Sequence, residues 1–210
     1  MVKTKIAVLV SGGGTNLQAL LEAEAAGKIP HGEIALVISN NPGAYALERA
    51  RNFGVPAGVV NKKELGSQAA FEAELQAVLE RNGTDLIILA GFMCILSEKF
   101  TSKWPKRIIN VHPALIPSFC GEGFYGLRVH KAALDYGVKV TGATVHFVNE
   151  IPDGGEIIAQ KAVYIEEGDT PETLQRRVME EAEWILLPQA IALFCQGKLH
   201  IEGNHVRIDD

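Results

Sequence analysis

The chain has 210 residues, of which 47% are hydrophobic and 21% charged, the composition of an ordinary globular protein. The net charge of −5, with no cluster of basic residues, argues against nucleic acid as a partner. No stretch approaches the roughly 18 uninterrupted apolar residues of a membrane span, which argues against membrane insertion. We therefore expect one domain, 1–210, that acts on small molecules.

The N-terminal stretch MVKTKIAVLVSGGG places lysines before a short apolar run, as secretion signals do. The run leads into a Gly-rich turn without a small-residue cleavage pattern, so it predicts a first core strand and a cytoplasmic protein.

The three cysteines, Cys94, Cys120 and Cys195, include no C-x-x-C pair. They predict free thiols, and neither a disulfide framework nor a metal site.

Apolar runs of strand length alternate with helical patterns along the first half of the chain. The predicted strands are 5–10, 34–39, 85–90 and 107–111, and the predicted helices are 16–26, 44–53 and 67–82. This alternation predicts βαβ units, and hence an α/β fold with a mostly parallel twisted sheet and helices on both faces. Ligands of such sheets bind at the carboxyl ends of the strands.

The pattern changes after residue 115. The stretch VTGATVHFVNEIPDGGEIIAQKAVYI predicts two long strands around a polar turn, an antiparallel addition to the sheet. A long amphipathic helix follows, with Thr170 as its cap and Pro171 in its first turn. The residues expected to face inward from this helix are Leu174, Val178, Ile185 and Leu186.

The stretch SGGGTN lies between the first strand and the first helix. Backbone N–H groups of such a turn, together with the helix N-terminus, suit an anion, so a phosphate is expected at Gly14, Thr15 and Asn16. A tight turn that merely needs positive φ explains the glycines equally well. The spacing fits neither a nucleoside triphosphate loop nor, cleanly, a dinucleotide loop.

Two further stretches carry polar residues suited to catalysis. In RIINVHPALIPSF, Asn110 and His112 alternate at the end of a strand, where an amide can donate to an oxyanion and an imidazole can transfer a proton. Taken singly, each is better explained as a cap or a core histidine. In IPDGGEI, Asp153 alone is a typical turn residue. Across the crevice from His112, its carboxylate would raise the imidazole pKa and form an acid/base pair with it.

Five segments, VLVSGGGTNLQAL, LAGFMCILS, INVHPALIPSF, TGATVHFV and DGGEIIAQ, occur in the order and spacing of the glycinamide ribonucleotide formyltransferase family. The chain resembles this folate-dependent family of purine (IMP) biosynthesis along nearly its whole length. The resemblance implies a Rossmann-like formyltransferase fold with a phosphate-binding half, about 1–106, and a catalytic and folate-binding half, about 107–210. It implies an enzyme that moves the formyl group of 10-formyltetrahydrofolate, its co-substrate, to the amine of glycinamide ribonucleotide, with no metal.

The resemblance also assigns roles to residues of this chain. Gly14, Thr15 and Asn16 match the loop for the ribose phosphate, and Asn110, His112 and Asp153 match the catalytic trio. Glu183 matches a glutamate at the sugar or glycinamide end, although a solvated acidic face explains MEEAE equally well. The segment that matches the folate pocket, to which Asn110 and Asp153 also contribute, consists of Met93, Cys94, Ile95 and Leu96.

The sequence departs from this family at three places. Cys94 replaces an arginine of many relatives, Gln68 replaces a basic residue thought to meet the folate tail, and the loop 118–130 is longer. The loop is either a lid or a surface insertion. His130, at a loop or helix start, and His146, on a strand, are expected to be structural.

Two other functions compete with this interpretation. A 10-formyltetrahydrofolate hydrolase shares the Asn, His and Asp but normally carries an extra N-terminal domain. A non-catalytic phosphate-binding module would explain SGGGTN and leave the other segments without a role. The sequence leaves open whether the chain forms a homo-oligomer.

Overall fold

The computed structural model describes residues 2–209. The strands are β1 (Thr4–Val10), β2 (Gly32–Ser39), β3 (Ala57–Val59), β4 (Leu86–Leu89), β5 (Ile108–His112), β6 (Val140–Phe147), β7 (Ile157–Tyr164), β8 (Leu199–Glu202) and β9 (His205–Ile208). The helices are α1 (Thr15–Ala25), α2 (Ala46–Asn52), α3 (Lys62–Leu65), α4 (Gln68–Arg81), α5 (Glu98–Thr101), α6 (Leu127–Tyr136), α7 (Pro171–Val178) and α8 (Trp184–Cys195), with a π-helical turn, Met179–Glu183, between the last two.

Seven strands form one sheet in the order β3-β2-β1-β4-β5-β6-β7. Strands β1 to β5 are parallel, whereas β6 runs antiparallel to β5 and β7 antiparallel to β6. The predicted α/β class, the parallel first half and the antiparallel pair that follows are therefore confirmed. Strands β8 and β9 form a separate antiparallel hairpin that the sequence analysis did not predict.

Strand β1 shows why the sheet is covered on both faces. Its last five residues, IAVLV, are all buried, so it has no solvent-facing side. Ile6 and Val8 pack into the core that contains Leu17 of α1, whereas Ala7 and Leu9 point into the opposite core. Because successive side chains of a strand alternate between faces, a continuous apolar run needs helices on both sides of the sheet.

The C-terminal helical segment begins as the sequence predicts. Thr170 accepts a hydrogen bond from the backbone of Thr173 in a capping box, and Pro171 occupies the first turn. The inward positions of Leu174, Val178 and Leu186 are confirmed, since all are buried; they pack in one core.

The prediction for Ile185 is wrong, because its side chain is 39% exposed. The π-helical turn closes i→i+5 hydrogen bonds and so adds a residue to one turn of the helix. Residues after this turn therefore face a different side from the one that an uninterrupted α-helix of the same sequence would give them. Leu187 and Ile191 therefore face the core from α8.

Gly155 lies where the turn after β6 returns to β7, and a Cβ atom there would stand 1.8 Å from the Phe147 carbonyl oxygen. We expect Gly155→Ala to lower the free energy of unfolding by about 3 kcal/mol, because backbone must move to admit the methyl group. Gly58→Ala is the matched control, since a Cβ on Gly58 meets no atom within 4 Å. Urea unfolding of both variants measures the difference, and an equal, small effect would contradict the prediction.

Candidate active site

Asn110 and His112 lie at the carboxyl end of β5, between β4 and β6. Alternate residues of a strand point to the same face, so the two side chains share one side of the sheet. His112 is 4% exposed and Asn110 is half-buried. The strand thus places an amide and a buried imidazole together at the edge where α/β sheets bind ligands.

Asp153 reaches these residues from the turn between β6 and β7. Its φ of 55° lies in the left-handed region, which aspartate tolerates better than most residues. Its Oδ2 atom lies 3.5 Å from His112 Nδ1, and its Oδ1 atom lies 3.5 Å from His146 Nε2. The structure therefore brings the predicted acid/base pair into contact.

His146 joins Asp153 to Asn110. Its Nδ1 atom lies 2.7 Å from the backbone oxygen of Phe147, an acceptor, so Nδ1 carries a proton. Its Nε2 atom lies 3.2 Å from Asn110 Nδ2 and 3.5 Å from Asp153 Oδ1. The sequence predicts only a structural strand residue here, yet the antiparallel pairing of Asn110 with His146 places this ring in the candidate site.

The loop that follows β5 holds both members of the pair. His112 Nε2 lies 2.8 Å from the Phe119 carbonyl oxygen and donates to it, which leaves Nδ1 as the nitrogen that gains or loses a proton. The Gly121 N–H donates to Asp153 Oδ2 at 2.9 Å. The Phe119 ring packs edge-on against Tyr136 of α6. The long loop predicted from the sequence thus contacts the candidate site directly.

The environment moves the pKa values of both members of the pair downwards. Burial lowers the pKa of His112 and outweighs the opposing effects of Asp153 and the Phe119 carbonyl. The expected raising effect of Asp153 is present, but the net shift has the opposite sign. Burial raises the pKa of Asp153, but hydrogen bonding to His146, the charge of His112 and the Gly121 N–H together lower it. Near neutral pH the pair therefore consists of a neutral imidazole and a carboxylate.

The Gly-rich loop, residues 11–16, joins β1 to α1. Gly14 is the N-cap of α1 with a φ of 72°, and a Cβ there would lie 2.6 Å from the Cβ of Ala46. Gly14 is thus required by conformation and by close packing. A Cβ on Gly12 or Gly13 would meet no atom within 4 Å, so these two glycines border open space. The first N–H groups of α1, from Thr15 onward, have no acceptor within the helix.

Asn16 and Glu183 connect this loop to the π-helical turn. The Asn16 side chain is buried, and its Nδ2 donates to Glu183 Oε2 at 2.6 Å. Glu183 is itself only 5% exposed, so the alternative of a solvated acidic face is wrong for this residue. Burial raises the pKa of Glu183 to about 7, against the lowering effect of the Asn16 hydrogen bond. A protonatable carboxyl group therefore lies behind the first turn of α1.

Glu183 predicts a pH dependence of stability. Because its folded pKa of about 7 lies above the ordinary value of 4.5, the unfolded chain loses this proton first as pH rises. The contribution of Glu183 to the free energy of unfolding should therefore be largest below about pH 4.5 and fall by on the order of 3 kcal/mol by pH 7. Glu183→Gln removes this fall, whereas Glu181→Gln, on the exposed side of the same turn, retains it. Urea unfolding at several pH values tests both variants, and parallel curves for wild type and Glu183→Gln would contradict the prediction.

The predicted folate segment, residues 93–96, follows β4 at the same edge of the sheet. Met93 and Ile95 are 55% and 65% exposed, respectively, whereas Leu96 is buried. Cys94 accepts a hydrogen bond from Asn40 Nδ2 at 2.8 Å. Gln68 Nε2 donates to the Ile95 carbonyl at 3.0 Å, so the residue that departs from the family lies against this segment. The segment thus presents two exposed apolar side chains, Met93 and Ile95, after the carboxyl end of β4.

His130 lies in the first turn of α6, near the helix start that the sequence predicts, and is fully buried. Burial lowers its pKa to about 4, so the ring is neutral near pH 7.

Within residues 2–209, no helix is long and apolar enough to cross a membrane. In the same part of the chain, no group of three or more His, Cys, Asp or Glu side chains is arranged to hold a metal ion.

Comparison with known proteins extends these observations. The sequence profile of the formyl transferase family matches residues 4–191. The chain is 39% identical over 205 residues to phosphoribosylglycinamide formyltransferase of Haemophilus influenzae, covering 98% of this chain and 93% of that protein. It is 46% identical over 201 residues to the chicken trifunctional purine biosynthetic protein adenosine-3, covering 95% of this chain but only 19% of that protein.

A solved structure agrees with the sequence relatives. The crystal structure of glycinamide ribonucleotide transformylase 1 from Symbiobacterium toebii superposes with a TM-score of 0.93 at 46% identity, covering 99% of this chain and 95% of that one. The sheet order and the antiparallel pair described above are therefore those of a known formyltransferase. The profile match over nearly the whole sequence, the close relatives and the shared fold together establish that this chain belongs to the formyl transferase family.

Proposed function

We propose that this chain transfers the formyl group of 10-formyltetrahydrofolate to the primary amine of glycinamide ribonucleotide. The products are formylglycinamide ribonucleotide and tetrahydrofolate. The observation that carries the proposal is the contact of His112 with Asp153, which His146 extends to Asn110, at the carboxyl edge of a formyltransferase sheet. The names of the full-length relatives support the choice of this amine. The proposal includes a cytoplasmic location, as the N-terminal sequence predicts.

The ribonucleotide phosphate is assigned to the Gly-rich loop. A phosphomonoester there meets the N–H groups of Gly14, Thr15 and Asn16 and the positive end of the α1 dipole. The open space beside Gly12 and Gly13 leaves room for its oxygens. Glu183 lies on the far side of Asn16, where it orients the Asn16 side chain beneath the sugar. This half of the site belongs to residues 1–106, with Glu183 contributed from the other half.

The folate is assigned to the segment of Met93, Cys94, Ile95 and Leu96, in which the Met93 and Ile95 side chains are exposed. This segment follows β4, the strand that pairs with β5. The backbone groups of this segment suit the polar edge of a pterin ring, and its side chains suit the faces of the ring. Asn110 and Asp153 border the same space and would meet the formyl-bearing end.

In the proposed reaction, a negative and a positive charge form together in the intermediate, and the site stabilises both. The neutral amine attacks the formyl carbon, giving a tetrahedral intermediate with an oxyanion and a positively charged nitrogen. Asn110 donates to the oxyanion, and the Asp153 carboxylate stabilises the cationic nitrogen. A proton then leaves that nitrogen for His112 Nδ1, and the resulting imidazolium stabilises the oxyanion. The proton passes on to N10 of the folate, directly or through water, as the carbon–N10 bond breaks. Asp153 also holds the His112 ring in place.

A spectrophotometric assay tests this function. Purified protein is given glycinamide ribonucleotide and 10-formyltetrahydrofolate, and release of tetrahydrofolate is followed with and without the ribonucleotide. Release that depends on the amine supports the proposed transferase. Release without the amine would replace it with a hydrolase, and no release in either mixture would leave a binding module.

A further inference from the structure

Arg49 of α2 extends towards the Gly-rich loop. Its Nε atom donates to the Gly13 carbonyl at 2.8 Å, and its Nη1 atom donates to Gln18 Oε1 at 2.9 Å. The guanidinium lies over the Tyr45 ring, 5.0 Å from the ring centroid. Two hydrogen bonds and a stacked ring hold the half-buried Arg49 guanidinium against the loop that is assigned to phosphate.

No carboxylate within residues 2–209 forms an ion pair with Arg49. Arg51, on the same helix, pairs with Glu48, and Arg177 pairs with Asp169. Among the residues that the structure describes, Arg49 has no ion pair of this kind, and both acceptors of its hydrogen bonds are neutral. A cation whose charge is left unpaired beside N–H groups strengthens a site for an anion.

Helix α2 also fixes the direction of the loop carbonyls. The Ala46 N–H donates to the Gly12 carbonyl at 3.1 Å, and Arg49 holds the next carbonyl, that of Gly13. Both oxygens therefore point towards α2. A carbonyl oxygen that faced a phosphate would repel it, so holding these oxygens on α2 leaves the N–H side of the loop for the anion.

We propose that Arg49 is a positioning residue of the phosphate site. It holds the Gly13 carbonyl away from the anion and adds positive charge behind the loop, and it acts through the loop backbone. The inference rests on the proposed function, because it assigns the loop to the ribonucleotide phosphate. It adds a residue outside the Gly-rich segment whose role concerns one of the two substrates only.

Steady-state kinetics of three variants test this role. Arg49→Met removes the charge and both hydrogen bonds, Arg49→Lys retains the charge alone, and Arg51→Met is a control on the same helix. We expect Arg49→Met to raise the KM for glycinamide ribonucleotide by about 10- to 100-fold, the usual effect of losing a charge-assisted hydrogen bond. The KM for 10-formyltetrahydrofolate and kcat should stay near the wild-type values. Arg49→Lys should recover part of the loss, and Arg51→Met should match wild type.

Equal rises in both KM values, or an unchanged KM for the ribonucleotide, would overturn the inference. Calorimetric titration with ribose 5-phosphate separates this failure from a failure of the proposed function. If wild type transfers no formyl group yet binds ribose 5-phosphate, and Arg49→Met weakens that binding while Arg51→Met does not, the role of Arg49 stands and the proposed reaction fails. If binding is equal in all variants, the role of Arg49 fails. Should Arg49→Met not fold, the same comparisons are made with Arg49→Lys.

Discussion

Replacing His112 with alanine is expected to lower kcat by about 100- to 1,000-fold, the usual loss when one oxyanion donor is removed. Both KM values should change little, because the Gly-rich loop and the folate segment are left in place. The imidazole is held by the Phe119 carbonyl on one nitrogen and Asp153 on the other, so its orientation is set before any substrate arrives. Alanine thus deletes a proton-accepting group that needs no reorganisation during the reaction.

Steady-state measurement of kcat and both KM values checks this result. His205→Ala is the matched control, since His205 lies exposed in the C-terminal hairpin. Thermal unfolding of each variant separates a catalytic loss from a loss of folded protein. Turnover of His112→Ala near the wild-type rate would remove His112 from the mechanism.

Asp153→Asn is expected to lower kcat by about 100- to 10,000-fold, the range for loss of a group that takes part in proton transfer. The amide retains the shape of the side chain, and asparagine tolerates the left-handed backbone at this position. The negative charge beside the cationic nitrogen is lost. The defect is therefore expected in kcat and not in the amount of folded enzyme.

The same variant has a pH signature. Asp153 raises the pKa of His112 against the larger lowering effect of burial, so removing its charge should lower that pKa further. If neutral His112 is the active form, the acid limb of the kcat/KM profile should lie below the ordinary histidine pKa of 6.5 in wild type, and at still lower pH in Asp153→Asn. Asp135→Asn, which alters an exposed pair with Lys131, should leave the profile unchanged. A shift of the limb to higher pH would contradict the assignment.

The sequence predicts the parts of the site that depend on one segment. Asn110 and His112 are recognisable because alternation along a strand places them on one face, whatever surrounds that strand. His146 is different, since its place beside Asn110 depends on how β6 pairs with β5. No local pattern encodes that register. The role of Asp153 likewise follows from a turn whose direction is set by the packing of Gly155 on Phe147.

The same distinction applies to the fold. Long apolar runs and capped helices are predicted correctly because many residues contribute to each pattern. Strand β3 has three residues with Gly58 at its centre, and each strand of the β8–β9 hairpin has four partly exposed residues. Such short segments have no periodicity to read. The burial of Glu183 cannot be predicted from an α-helical pattern for another reason. The helical period changes at Met179–Glu183, so the buried face no longer follows the α-helical spacing.

Because of this π-helical turn, the number of residues between Val178 and Trp184 matters as much for the packing of α8 as their identities do. Helix α7 packs against α6, and α8 packs against α1 and the antiparallel strands, so each end of the helical segment has its own neighbours. Winding the same residues as regular α-helix at the present length would turn α8 by about 100° relative to α7, carrying Leu187 away from the core. Loss of one residue would instead let a regular α-helix leave α8 in its present orientation, because the π-helical turn holds one residue more than an α-helical turn. The number of residues in this segment therefore decides which face of α8 meets the core.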